Sequence, residues 1–188
     1  VKNGGLHKHE TANPAYPDYF DSKNFSISGV DIAVKNLNYG GINDVFANIE
    51  NISATFGQKD FQLKQLTVPA FLINDENINL FNFKIETEES ILKDNISISY
   101  DSFQDLKNSF NNGYLQADLN QSEISLHEFA YFIPKLKTLA FYKKYSQNKL
   151  SVNGVISGNL ENIKGNKLQL SFADLLKFDG NFGIRNIS

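Results

Sequence analysis

Three observations place this chain among mainly β proteins. Apolar and polar residues alternate over most of its length, which is the period of a strand with one face in oil and the other in water. The 16 Phe and 8 Tyr among 188 residues suit a pleated surface, and only 4 Pro interrupt it. Breaks rich in Asn and Gly separate the alternating runs at short intervals.

The elements follow in order. Residues 1–21 ("VKNGGLHKHETANPAYPDYFD") show no period, so they read as an irregular lead-in that packs through Tyr16, Tyr19 and Phe20. Residues 22–188 carry the β pattern. Phe25 and Ile27 share one parity; after Gly29 the phase flips to Val30, Ile32 and Val34. Further flips fall at Asn36, Asn51 and Gln65, and "YGG" (Tyr39–Gly41) reads as a turn. A one-residue slip turns a strand inside out, so each flip requires a bulge or a turn. Frequent flips predict many short strands.

The best-patterned inner-face residues lie further on. "NINLFNFKIETEES" offers Ile78, Leu80, Phe83 and Ile85, with Phe81 grouped beside Phe83, and "NISISY" offers Ile96, Ile98 and Tyr100. "YLQADLN" is a strand with Leu115, Ala117 and Leu119 on one face. Two segments leave the strand period. Residues 101–110 space Phe103, Leu106 and Phe110 as a helix does, and residues 125–133 open with Ser125 and Glu128 at capping-box spacing and stop before Pro134. A polar, Lys- and Tyr-rich loop over Pro134–Asn148 should follow.

Then comes the longest alternating run, "KLSVNGVISGNLENIKGNKLQLSF". Its even positions put Leu150, Val152, Ile156 and Leu160 on one side together with Gly154 and Gly158. Leu168, Leu170 and Phe172 continue the run, and past a turn Leu176, Phe178, Phe182 and Ile184 complete it. Glycine at the inner positions either lets the sheet bend and leaves room for a ligand or simply marks bulges.

Composition narrows the function. Net charge is −3, with 18 basic and 21 acidic residues well mixed, so no basic face suits a nucleic acid backbone. With 0 Cys, disulfides, thiolate zinc sites and cysteine nucleophiles are excluded. No apolar run approaches the ~20 residues that cross a bilayer. The Val1 start and the absence of Met suggest a fragment or processed product cut at both ends. "HKHE" (His7–Glu10) is short of ligands for a metal site, and "DEN" and "TEES" read as solvated strand ends rather than as paired carboxylates for acid–base work. The expectation is a protein with no catalytic residue, no metal and no cofactor. Residues Phe129–Tyr145 mix aromatics with Lys; they either meet a membrane surface or cover a groove mouth, or, more plainly, form a helix on the sheet followed by a mobile loop.

A half-buried sheet must set its apolar face against something. A second sheet gives a sandwich; a single long sheet that curls gives a trough. Alternation alone favours the sandwich, because more domains are built that way.

Four stretches bear on that choice: "FQLKQLTVPAFLINDENINLFNFKIETEES" (Phe61–Ser90), "ILKDNISISYDSFQDL" (Ile91–Leu106), "LQADLNQSEISLHEFAYFIPKL" (Leu115–Leu136) and "LSVNGVISGNLENIKGNKLQLSFADLLKFDGNFGIRNI" (Leu150–Ile187). In this order they resemble the paired strands, short helix with Pro stop, and "G-x-x-x-G" strand pairs of the TamB/AsmA-like translocation and assembly module family of Gram-negative envelopes. The resemblance covers somewhat over half of the chain. It implies a curled, antiparallel-rich sheet forming an open apolar groove (a β-taco), with one or two short helices. It further implies a periplasmic segment that carries phospholipid acyl chains between inner and outer membranes in support of outer-membrane biogenesis. An outer-membrane β-barrel is an admissible partner, and membrane anchoring would lie outside this chain. A closed β-sandwich scaffold or interaction module is the alternative. The physics is compatible with the groove: each CH₂ kept from water is worth ~0.8 kcal/mol, so a palmitoyl chain gains roughly 12.

Overall fold

The structure, a computed structural model, describes residues 1–9, 19–21, 23–57, 61–108, 112–159 and 161–185. Ten strands form a single antiparallel sheet in strict sequence order. They are β1 (Gly4–His9), β2 (Asn24–Gly41), β3 (Asp44–Phe56), β4 (Phe61–Ile73), β5 (Asn77–Thr87), β6 (Ile91–Tyr100), β7 (Gly113–Ser125), β8 (Lys149–Gly158), β9 (Asn162–Phe172) and β10 (Leu176–Arg185). The sheet is not closed: β1 and β10 are its two edges. At ~4.8 Å per strand spacing the row of strands extends roughly 43 Å. Mainly β and curled is therefore right, and among the described residues there is no second sheet of the kind a sandwich requires.

Three expectations need correction. Residues 4–9 of the expected lead-in form a strand paired with β2, in which Leu6 faces Ile27. The short alternating runs merge into strands of up to 18 residues. Their flips are bulges inside continuous strands: register shifts occur at Ser28/Asp31, Lys35/Asn38 and Ile49/Ile52, and at Leu63/Gln65, close to the expected flip positions. The supposed turn at Tyr39–Gly41 belongs to β2, which turns just after it. A bulge keeps the backbone paired while rotating the side-chain phase, which a turn would not.

The helices are more numerous than expected. The first two predicted ones form as α1 (Phe103–Asn108) and α2 (Leu126–Phe132); Phe110 lies outside the described residues. The expected loop after Pro134 is helical instead, with a 3₁₀ turn over Pro134–Thr138 and then α3 (Ala140–Tyr145). Pro134 opens the 3₁₀ turn because its fixed φ suits a first helical position and its missing N–H is not needed there.

Bulges also account for the curl. Alternate strands β5, β7 and β9 each carry an extra residue in left-handed conformation: Asn82 (φ 52°), Gln121 (φ 48°) and Lys167 (φ 46°). Each of these residues donates its backbone N–H to an Asn Oδ1 on the following strand. Asn82 bonds Asn95 at 3.0 Å, Gln121 bonds Asn153 at 3.4 Å and Lys167 bonds Asn181 at 2.7 Å. Aligned bulges bend a sheet, and the Asn side chains satisfy N–H groups that the ladder no longer reaches. This repeating device gives three of the chain's Asn residues a structural role within strands.

The residue after each bulge points inward and is the best buried on its strand. Phe83, Ser122 and Leu168 are 1%, 0% and 1% exposed. With Val68, Ala117, Leu119 and Val152 the two apolar ones form the core, on one face of one sheet. Phe81, expected beside Phe83, points the other way and is 43% exposed, because the bulge at Asn82 separates the two.

Candidate functional site

In-register pairing turns the predicted inner-face residues into continuous apolar rows. One row passes from Ile73 through Ile78 and Ile98 to Leu115, and on by Gly158 and Ile163 to Ile184. A second runs Leu80, Ile96, Ala117, Ile156, Gly165, Phe182. Beyond the bulges, Ile85 faces Leu92, Leu150 faces Phe172 with Leu176 next to it, and Val152 faces Leu170 with Phe178 next to it. The structure thus brings the predicted residues onto one face. Leu160 lies outside the described residues.

They do not all face open space. The middle is closed by the protein's own side chains: Phe83, Ala117, Leu119, Val152 and Leu168 are buried. Phe172 and Tyr100 are buried as well, the latter with its hydroxyl donating to the Asn74 carbonyl at 2.7 Å. Burial, with a smaller contribution from the Asp75 carboxylate, pushes the Tyr100 phenol above its ordinary pKa. Ile78, Leu80, Ile85, Ile96, Ile98, Leu150, Ile156, Leu170, Phe178 and Phe182 are half-buried, and Leu115, Leu176 and Ile184 are exposed.

Gly154 and Gly158 make room for neighbouring backbone, and Gly158 also borders a recess. A Cβ on Gly154 (φ +126°) would stand 2.5 Å from the Lys167 carbonyl oxygen, and one on Gly158 (φ +136°) would collide with that of Asn162. Gly154 lets β8 and β9 approach closely beside the bulge line, and Gly158 does so at the turn that joins them. At Gly165 the vacant side-chain position is filled by the ring of Phe182.

The inner face opens at the two ends of β7. A recess of 210 Å³ between Ile98, Leu115, Ile156 and Ile163 lies at the Gly113 end. The other end holds a cleft of 390 Å³ between the sheet and the helices, within the range of small-molecule pockets. Leu150, Phe172 and Leu176 form its sheet side, all three expected from the sequence. Phe129, Leu136 and Phe141 form its helical side, and Ile124, Leu126 and Leu175 complete it. Among the described residues, no polar or charged one lines it. A larger hollow of 560 Å³ lies on the polar face, where Asn153, Gln169 and Asp179 form a side-chain hydrogen-bond ladder and Val152, Leu170 and Phe178 also contribute to the lining.

The helical side of the cleft was missed by the alternation pattern, since strand periodicity cannot find it. The signal was the aromatic and Lys mixture of Phe129–Tyr145. The plain reading of that stretch, a mobile loop after a helix, is replaced by a helical cap: Phe141 and Tyr145 of α3 set their rings 5.7 and 6.1 Å from Phe172.

The cap is held by a buried carboxylate. Glu128, 6% exposed, accepts hydrogen bonds from Thr87 Oγ1 (2.5 Å), the Glu89 backbone N–H (3.1 Å) and Ser90 Oγ. Ser125 caps α2, accepting from the Glu128 N–H at 3.3 Å, and its own N–H donates to Ser90 Oγ at 2.9 Å. "TEES" is solvated only in part: Glu88 is exposed as expected, while Thr87 and Ser90 are buried around Glu128. On the far side of α2, Tyr131 stacks on Phe61 at 5.7 Å, and Phe132 meets the same ring edge-on at 4.9 Å. Phe20 packs on Phe25 and Phe132, the packing expected of the lead-in, while Tyr16 lies outside the described residues.

Among the described residues the other acids are all at least partly exposed. Lys84 Nζ, 2.5 Å from Glu86, holds that carboxyl below its ordinary range through the hydrogen bond and the charge. Among the described residues no three His, Asp or Glu side chains gather as a metal site would need. Comparison with known protein families, with curated proteins and with solved structures returns no match.

Proposed function

We propose that this chain is a segment of an apolar groove that carries phospholipid acyl chains between the inner and outer membranes of a Gram-negative envelope, in support of outer-membrane biogenesis. The observation that carries the reading is the cleft at the capped end: 390 Å³, its described lining residues all apolar, and open to solvent beside Leu175 and Leu176. Removing hydrocarbon from water gains ~0.8 kcal/mol per CH₂ without needing any polar contact, so such a wall favours an alkyl chain over a polar ligand. The apolar rows of the inner face repeat the same kind of surface from β5 to β10, which suits sliding more than tight holding.

Passage beyond the cleft needs the middle to widen, because Phe83 and Leu168 fill it. Transport on this reading is loading at an open end followed by separation of central side chains. A phospholipid with a photoreactive group at its acyl terminus tests it. Adducts at Leu176, Phe141 and Leu150 support the groove; adducts scattered over the polar face, or none, end it.

An interaction module of the cell envelope is the second reading, favoured by the unpaired edges of β1 and β10. Exposed edges pair with other strands, and crosslinks from β10 to a protein with no lipid adduct in the cleft would select it.

A further inference from the structure

We infer that the helical cap over the cleft is a docking patch for an anionic lipid surface. Charge is distributed very unevenly in this chain. Of 18 basic and 21 acidic residues, five Lys and not one Asp or Glu fall within residues 129–160, so that segment is positive in a chain whose net charge is −3. Lys149 pairs with Glu123 at 3.8 Å, and Lys137 also has a partner within the chain. Lys135, Lys143 and Lys144, the last over the Tyr145 ring, belong with Lys137 to the 3₁₀ turn and α3.

Apolar side chains that the cleft does not account for stand among these lysines. Ile133 is 42% exposed and Leu139 48%, on either side of the 3₁₀ turn, and neither lines the cleft. Both flank the lysines along the chain, and exposed apolar groups of this kind are where a contact site forms. The accompanying residues decide which kind. Lysine is depleted from protein–protein interfaces, whereas lysines interleaved with Phe and Leu are the composition of elements that lie in a membrane interface. Lysine stems follow an apolar surface while their ammonium groups reach outward. An anionic lipid surface satisfies both components, phosphates for Lys135, Lys143 and Lys144 and acyl boundary for Ile133 and Leu139. Neutral lipid satisfies only one.

The inference does not require that hydrocarbon enter the cleft, so the two readings fail separately. The test is co-sedimentation of the whole chain with vesicles of phosphatidylcholine alone or with phosphatidylglycerol added. Binding is expected only with phosphatidylglycerol and should weaken as salt is raised. The triple variant Lys135→Glu, Lys143→Glu, Lys144→Glu should lose on the order of a hundredfold in partitioning. A matched triple on other surfaces, Lys2→Glu, Lys164→Glu, Lys177→Glu, should change it little, and Leu139→Ser should weaken it with melting temperature unchanged. Equal binding to both vesicles, equal loss from both triples, or no binding overturns the inference. Retention of acyl-chain crosslinking in the cap triple would leave the groove reading standing even then.

Discussion

The middle of the inner face and its capped end are built from the same kinds of residue and have opposite fates. Behind the bulges, Phe83 and Leu168 are each 1% exposed. At the capped end Phe129, Phe141 and Leu176 remain 41–44% exposed around a cleft. What differs is the opposing surface. Aligned bulges fold the sheet toward itself, so central side chains find partners on neighbouring strands. Near the cap the opposing surface is a set of short helices that spans the gap without filling it. The comparison separates side chains that hold the fold from side chains free to hold something else.

The largest effect should come from emptying the middle. Phe83→Ala removes a buried ring from a position that cannot collapse without shifting the Asn82 bulge. It should cost about 3–5 kcal/mol, and Leu168→Ala about 2–5, measured by urea unfolding. If either variant kept wild-type stability, the central row would not be the core and the contrast with the cleft would fail.

Next in size is the anchor of the cap. Glu128→Ala leaves Thr87, Ser90 and the Glu89 N–H without their shared acceptor. Losing hydrogen bonds to a buried charged group should cost about 2–3 kcal/mol, and Glu128→Gln less, since one amide oxygen remains. Hydrogen exchange should rise first in α2 and α3. Uniform loss of protection across the sheet would instead make the cap part of the cooperative core.

Gly154→Ala probes the crease itself. The added Cβ meets the Lys167 carbonyl oxygen at 2.5 Å in a conformation that L residues rarely adopt. A cost of about 1–3 kcal/mol is expected, and an unchanged melting temperature would mean that β8 and β9 can part there freely. Asn153→Ala, which removes both the acceptor for the Gln121 N–H and the amide that donates to Gln169, should cost about 1–2 kcal/mol.

These variants also mark what could be read from residue order alone. The alternation of Leu150, Val152 and Ile156 showed the inner face, because period 2 is a local property of strands. Gly29, Asn36 and Gln65 were visible as phase flips, but not their meaning: a flip looks the same in one dimension whether the chain turns back or bulges and continues. Ten long strands were therefore read as many short ones. Ser125 with Glu128 announced a helix start, yet the carboxylate's actual partners, Thr87 and Ser90, lie 41 and 38 residues away and carry no local signal. The cleft shows the same limit. Its sheet side, Leu150, Phe172 and Leu176, followed from pattern, while Phe141 and Leu136 depended on a helix that the Lys-rich composition concealed.

The smallest effect on stability carries the most functional weight. Leu176 is 41% exposed, ends the row from Leu150 through Phe172, and lines the open lip of the cleft. Leu176→Asp should change unfolding free energy by no more than ~0.5 kcal/mol, since surface substitutions away from the core seldom exceed that. A charge there would nonetheless have to lose its water for an acyl chain to pass, a cost far larger than the gain from several CH₂ groups. Acyl-chain crosslinking at Phe141 and Leu150 should therefore fall at least tenfold while the melting curve stays in place. Should crosslinking persist, hydrocarbon enters elsewhere or stays outside. Should stability collapse, Leu176 belongs with Phe83 and Leu168, and the capped end is core after all.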